Sequence, residues 1–437
     1  MKQLKWLLLV VVFAMLAAAC GNDSSGDTTT AAPSNTTAAA TTTTAGSTET
    51  TMAETTTTAG MVDLTGTKVT VFGPEETAAE AGSLQATLDL FAAQTGIEIV
   101  YTGARDASDQ INAQVAGGNP PDIFVFPQPG KLADFARQGA LYPLPDDVLA
   151  TVAANQSDAW TSFGNVDGVQ YGIPTKADLK SLVWYQPARF AAAGYTIPQT
   201  WDELKALSNQ MIADGNTPWC VGIESGAATG WPFTDWVEDL MLRYYGPDVY
   251  DQWVSHEVPF SDQRVIDVFN QIRDLWDTPG AVYAAGGSIA STAFGDNGEP
   301  LVNGDCFMHR QASFFSAFFP DGTPVADGSD GAVDVFYFPA VDPNTHPVLG
   351  AGTLVGAFRD APEVWAVMNY FATSEYGQNR QKLQALSKGG GGALSGFLSP
   401  ATQQDMSVYN PLEQSFLDIL ASADVVRFDG SDLMPTA

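Results

Sequence analysis

Histidine, cysteine and positive charge are all scarce in this chain. Its 437 residues hold three histidines, three cysteines, and 19 lysines and arginines against 50 acids. The formal net charge of −31 repels nucleic acid and anionic lipid, so neither is expected as a partner. His256, His309 and His346 stand in unrelated contexts, and no Ser-His-Asp arrangement can be drawn through them. Scattered histidines and two cysteines beyond Cys20 give no zinc-ligand spacing, and no metal or cofactor is expected. Lys388 and the glycines Gly389 to Gly392 lack the spaced Gly-Lys-Ser/Thr ending of a P-loop. Acids are so plentiful that paired carboxylates single out no glycosidase centre.

What the chain does have begins with an export signal. Lys2 and Lys5 precede an apolar run from Trp6 to Ala19, short for a membrane span of ~20 residues. Ala17-Ala18-Ala19-Cys20 resembles a bacterial lipoprotein processing site, with Cys20 acylated as the new N-terminus. The alternative is an ordinary secreted protein cut near Ala19. The next stretch, Gly21 to Met61, is nearly all Thr, Ala, Ser and Gly, with sixteen threonines between Thr28 and Thr58. With almost no apolar side chains to offset the entropy of ordering, it reads as a disordered tether and a candidate for O-glycosylation.

The whole chain is 45% hydrophobic, and its remainder is long enough for more than one core. Strand patterns at Lys68–Phe72, Ile97–Tyr101 and Pro121–Phe126 alternate with helical patterns at Ala78–Gln94, Asp109–Ala116 and Lys131–Arg137. Such alternation predicts a mostly parallel sheet covered on both faces, with ligands beyond the carboxyl ends of its strands. Glu75 and Glu76 fall in such a loop, where the alternative role is a first-turn helix acid. Tyr171 to Tyr185 reads as a strand leaving one lobe for another, with Lys176, Asp178 and Lys180 at the crossing. Thr200 and Glu203 predict a capping box, and Val237–Tyr245 and Gln263–Trp276 predict amphipathic helices. Helical spacing puts Phe269 and Trp276 in the core.

Thr217 to Trp236 concentrates Trp219, Trp231 and Trp236 with a Gly-rich turn and two acids, Glu224 and Asp235. Flat rings beside hydrogen-bonding acids suit a ligand with an apolar face and a hydroxyl edge. The expectation is that Trp231 or Trp219 forms a stacking platform in a cleft; the alternative is core tryptophans beside a plain loop.

The strand PPDIFVF, the crossing YGIPTKADLKSLVWY, the segment PARFAAAGYTIPQTWDELKAL and the string WCVGIESGAATGWPFTDWVEDLMLR together resemble family 1 extracellular solute-binding proteins. These are the sugar-binding subunits of ABC importers, and the last string closely resembles the branch that binds α-glucosides. The similarity runs from about Val69 to Pro400. It implies an α/β, two-lobe fold of the type II periplasmic-binding-protein kind, with a hinged cleft between lobes. The expected division is a signal peptide (1–19), a tether (20–61), an N-terminal lobe (62–178 and 341–388) and a C-terminal lobe (179–340 and 389–437). Val348 to Leu354 would return the chain to the first lobe.

The implied function is a lipid-anchored receptor on the outer face of a bacterial cell membrane, not an enzyme. It would act as a monomer that captures a carbohydrate and docks on a membrane permease. Trp231 is the leading ligand contact, because Gly-Trp-Pro resembles an aromatic sugar platform in relatives. Motif position adds Glu75, Asp178, Lys180, Glu224, Asp235, His309, Arg310 and Thr353. The family pattern often has an acid where Thr353 stands, which leaves the usual sugar preference open. In an exported protein Cys220 and Cys306 are expected to pair, the alternative being two buried thiols. The competing functions are a secreted glycoside hydrolase and a sugar receptor that feeds a signalling protein.

Overall fold

The computed structural model describes residues 63–387 and 396–434, and the chain from Leu64 onward forms one compact unit. The export segment, Cys20, the threonine-rich tether and Gly389 to Gly392 lie outside the described residues. Among the described residues no helix is long and apolar enough to cross a membrane.

The strands are β1 (Lys68–Gly73), β2 (Glu98–Gly103), β3 (Ile123–Phe126), a short hairpin β4 (Asn165–Val166) and β5 (Val169–Gln170), β6 (Gly172–Leu179), β7 (Leu182–Tyr185), β8 (Trp219–Cys220), β9 (Val282–Tyr283), β10 (Met308–Arg310), β11 (Asp334–Tyr337), β12 (Pro347–Ala357) and β13 (Val425–Phe428). One sheet runs β13-β12-β3-β1-β2, with β6 also on β12; the other runs β11-β7-β10-β8-β9. β1 is parallel to β2 and β3, whereas β12 is antiparallel to β3 and β6. The second sheet mixes antiparallel β7 with the parallel set β10, β8 and β9.

Local sequence explains the elements. In β1, Val69 and Val71 alternate inward, while all of Ile123–Phe126 is buried, as a sheet covered on both faces requires. The helix Ala78–Thr95 starts where Thr77 Oγ1 accepts from the Glu80 N–H and stops at Gly96, whose φ of 76° suits glycine. β12 is buried along its whole length, and at Gly352 a Cβ would stand 2.3 Å from the Lys176 carbonyl oxygen. Glycine there lets β12 and β6 approach, beside the register shift between Thr353 and Leu354.

β6 ends at Leu179 in the first sheet and β7 begins at Leu182 in the second, so the expected crossing falls on Lys180 and Ser181. A second crossing runs from β11 to β12. The C-terminal segment serves both sheets. Phe416 packs edge-on against Trp184 of β7, and β13 then pairs with β12. Cys220 and Cys306 form a disulfide with Cα atoms 5.5 Å apart.

Several expectations need correction. The helix expected over Val237–Tyr245 runs from Trp231 to Val254, with a break at Gly246 before Pro247. Gly230, at φ 115°, caps its start, so Trp231 opens a helix rather than riding a turn. The capping box at Thr200 is half made. Thr200 Oγ1 accepts from the Glu203 N–H, but Glu203 accepts from the Gln199 N–H. Phe269 is 38% exposed; among the described residues its ring meets Phe233, at the rim of the core.

Candidate functional site

The first half of the site is polar and grows from the first sheet. Alternation along β6 places Lys176 and Asp178 on one face. Lys176 Nζ stands 3.4 Å from Asp178 Oδ1 and 3.7 Å from Glu75 Oε1. Glu75 follows β1; its backbone N–H donates to Tyr101 Oη at 3.0 Å, and Tyr101 donates back to the Glu75 carbonyl oxygen at 2.9 Å. Arg380, from the helix Ser374–Ser387, closes the set at 2.6 Å from Glu75 Oε2. Opposite Lys176 in register, the Thr353 hydroxyl meets the Thr175 hydroxyl at 3.0 Å. Burial raises the Asp178 carboxyl above the usual range, against the pull of Lys176.

The second half is aromatic and belongs to segments between strands of the second sheet. The half-buried Trp231 ring packs on Phe294 at 4.9 Å and Phe314 at 5.9 Å, and Phe318 lies 5.1 Å from Phe294. Cations from the polar half cap these rings. Lys176 is 5.3 Å from the Phe314 centroid, Lys180 5.5 Å from Trp231, and Arg105 4.9 Å from Phe318 and 5.6 Å from Phe294. Arg105 is held in place by an ion pair to Glu80 and by the Pro74 carbonyl oxygen, which accepts from Nη1 at 3.1 Å. The two halves therefore meet face to face.

Beneath them, Lys180 joins the crossing to the helix that Trp231 opens. Its ammonium pairs with Asp235 at 2.8 Å and with Asp429. Arg310 bridges Asp235, at 3.2 Å, and Asp239, which also accepts from the Ser181 hydroxyl at 2.7 Å. Ser181 Oγ in turn accepts from the Leu349 N–H of β12 at 2.8 Å. The carboxylates of Asp235, Glu238 and Asp429 come within 4.8 Å of one another, a spacing that could hold a cation, and Lys180 supplies positive charge to two of them. Burial raises Asp235 to about 6 and Glu238 well above its ordinary value. Burial also opposes ionisation of Asp429, but the Lys180 ammonium outweighs it and brings the group down to about 2.

Of the residues expected at the site, Glu75, Asp178, Lys180, Trp231 and Asp235 fall in this connected set, and Arg310 joins through Asp235. Thr353 backs it from β12. Glu224 takes part in its own turn, where its carboxylate accepts from the Gly226 N–H at 2.7 Å. His309 faces the disulfide strand, its Nδ1 2.9 Å from the Cys220 carbonyl oxygen. Trp219 is not a platform. It is fully buried, donates to Ser208 Oγ at 3.0 Å and packs edge-on against Trp236. Lys176, Arg105, Arg380, Phe294, Phe314, Phe318 and Asp429 were not among the contacts expected by name. Lys176 carried a signal, since it lies two residues from Asp178 in the crossing motif.

Two sheets joined by repeated strand crossings, with a polar face and an aromatic face meeting over the hinge, define a two-lobe solute-receptor fold. Solved structures share it. A bacterial solute receptor, AcbH, described as preferring β-D-galactopyranose, superposes with a TM-score of 0.71 at 21% identity, over 84% of this chain and 89% of that one. A chitin oligosaccharide binding protein gives 0.70 at 20% identity, over 84% and 90%. The chain belongs to the bacterial extracellular solute-binding protein family, whose model matches residues 75–378. It is 40% identical to the osmoprotective compounds-binding protein GgtB of Synechocystis sp., over 81% of this chain and 82% of the relative. It is 38% identical to the alpha-glucosides-binding periplasmic protein AglE of Rhizobium meliloti, over 85% and 81%.

Proposed function

We propose that this protein is the extracytoplasmic binding subunit of an ABC importer that captures a neutral carbohydrate, an α-glucoside or a related oligosaccharide. Hinge closure around the ligand would present the closed form to a membrane permease. The similarity to the alpha-glucosides-binding periplasmic protein of Rhizobium meliloti supports this ligand class. The observation that carries it is the pairing of a half-buried tryptophan with a charge-balanced polar face. Glu75 and Asp178 match Lys176 and Arg380, so a charged ligand would leave an ion uncompensated in a buried site. Hydroxyls donate to the acids and accept from the cations, and a pyranose face covers an aromatic ring.

The proposed contacts are Trp231, Glu75, Asp178, Lys180, Asp235, Arg310 and Thr353, with Lys176 and Phe314 added and Glu224 and His309 at the margin. The lobes would divide near residues 178 and 340, with the C-terminal segment shared. Acylation at Cys20 and the tether would hold a monomer outside the membrane. A hydrolase remains the competing reading, because the raised carboxyl of Asp178 is what a general acid needs. Calorimetry on residues 62–437 with maltose, trehalose, sucrose and maltotriose, followed by chromatography of the recovered sugar, separates the two. Heat with intact sugar supports a receptor, and recovered monosaccharide makes the protein a hydrolase. No heat with any of the four removes α-glucosides as the ligand class.

A further inference from the structure

A small cavity is lined by Cys220, Ile223, Pro232, Trp276, His309 and Arg310, among others. Three of these residues carry a buried polar atom without a hydrogen-bond partner: His309 Nε2, Arg310 Nε and Trp276 Nε1. Each such orphan destabilises the folded state if nothing satisfies it. Their hydrogen-bonding roles are fixed by their surroundings. The Cys220 carbonyl can only accept, so His309 Nδ1 carries the proton that it receives at 2.9 Å. Burial holds the imidazole neutral, with its pKa down at about 4, which leaves Nε2 as a bare acceptor. Both Nη groups of Arg310 are committed to Asp235 and Asp239, leaving Nε–H as a donor, and the Trp276 indole can only donate.

We propose that this cavity is a binding site for a single internal water, which accepts from Arg310 and Trp276 and donates to His309. The complement is two acceptances and one donation. A halide cannot donate to His309, and an ammonium ion cannot accept from the two N–H groups. The space takes one water-sized group, so a sugar ring is too large. His309 and Arg310 are 4% and 3% exposed, so the occupant meets side chains that are themselves buried. The water would link β10 to the helix Gln263–Trp276 and, through Arg310 and Asp235, to the helix that carries Trp231. The site shares Arg310 and His309 with the carbohydrate reading, but its test is made on the free protein and does not depend on sugar binding.

Two measurements test it. A crystal structure of the free protein should place an oxygen within ~2.7–3.2 Å of all three atoms. A dry cavity, or a His309 ring turned so that Nε2 meets a protein donor, overturns the proposal. Oxygen-17 magnetic relaxation dispersion counts long-lived waters in solution. Replacing Trp276→Phe and His309→Phe together removes two of the three partners and should lower that count by one. An unchanged count overturns the proposal. If the double variant does not fold, Trp276→Phe alone should shorten the residence time of one water, and an unaltered residence time is again the contrary result.

Discussion

Lys180 Nζ lies 2.8 Å from Asp235 Oδ1, which ties the β6–β7 crossing to the helix opened by Trp231. The same ammonium reaches Asp429, 249 residues away along the chain. All three side chains are buried, so their value lies in mutual compensation. Lys180→Met should cost ~3–5 kcal/mol in urea unfolding at neutral pH, because two buried carboxylates lose their shared cation. Adding Asp429→Asn should recover part of that loss. A single variant within about 1 kcal/mol of the parent would assign the triad no more weight than a surface pair.

Trp231 and Trp219 belong to the same twenty-residue stretch and should respond in opposite ways. Trp219 is fully buried against Trp236, so Trp219→Ala should cost ~3–5 kcal/mol of stability. Trp231 keeps part of its ring accessible, so Trp231→Ala should change stability little. Calorimetry should instead show sugar affinity weakened by roughly 1.5–3 kcal/mol, about ten- to 150-fold. If binding is untouched, the platform lies elsewhere.

Glu238 makes stability depend on pH in a defined direction. Burial and the neighbouring Asp429 raise its folded-state pKa well above the ordinary value, so the folded protein holds a proton that the unfolded chain releases. The associated stability is fully present below the unfolded pKa near 4.5 and is lost as pH rises toward the raised folded value. Glu238→Gln removes the titration. The two backbone N–H groups that Glu238 accepts, from Gly430 and Ser431, then share one carbonyl oxygen, so an offset of ~1 kcal/mol is expected. The discriminating readout is the slope. From pH 5 to pH 8, melting temperature should fall less steeply in the variant, and equal slopes would place the proton elsewhere.

Local chemistry is what the sequence made legible. The strand pattern Lys68–Phe72 marked β1, the helical pattern Ala78–Gln94 marked the first helix, and the run from Tyr171 to Tyr185 marked the crossing at Lys180. Signals of that kind are complete within a few residues. The partners that complete the site are not local. Asp429 meets Lys180, and Arg380 meets Glu75 across 305 positions. Only the paired sheets bring them together. Trp219 and Trp231 could not be separated by composition, since an indole serves core and platform equally. Their roles follow from β8 lying inside the second sheet while Trp231 stands at a half-buried helix start.

Arg105 offers the sharpest test of how the two faces engage. Its guanidinium follows β2 of the first sheet, is oriented by Glu80 and the Pro74 carbonyl, and rests on Phe318 and Phe294 of the opposite face. A partly desolvated contact of this type is worth ~0.5–2 kcal/mol. If it helps hold the faces together, Arg105→Ala should lower the closed population of the free protein and enlarge its radius of gyration in X-ray scattering. Sugar affinity should then weaken by the same factor, roughly two- to thirtyfold, because the binding-competent fraction falls. Arg105→Lys keeps the charge but not the planar stack and should fall between. The opposite sign is equally readable. If a sugar must displace the guanidinium to reach the rings, Arg105→Ala will bind more tightly, and the contact is then a competitor of the ligand rather than a latch.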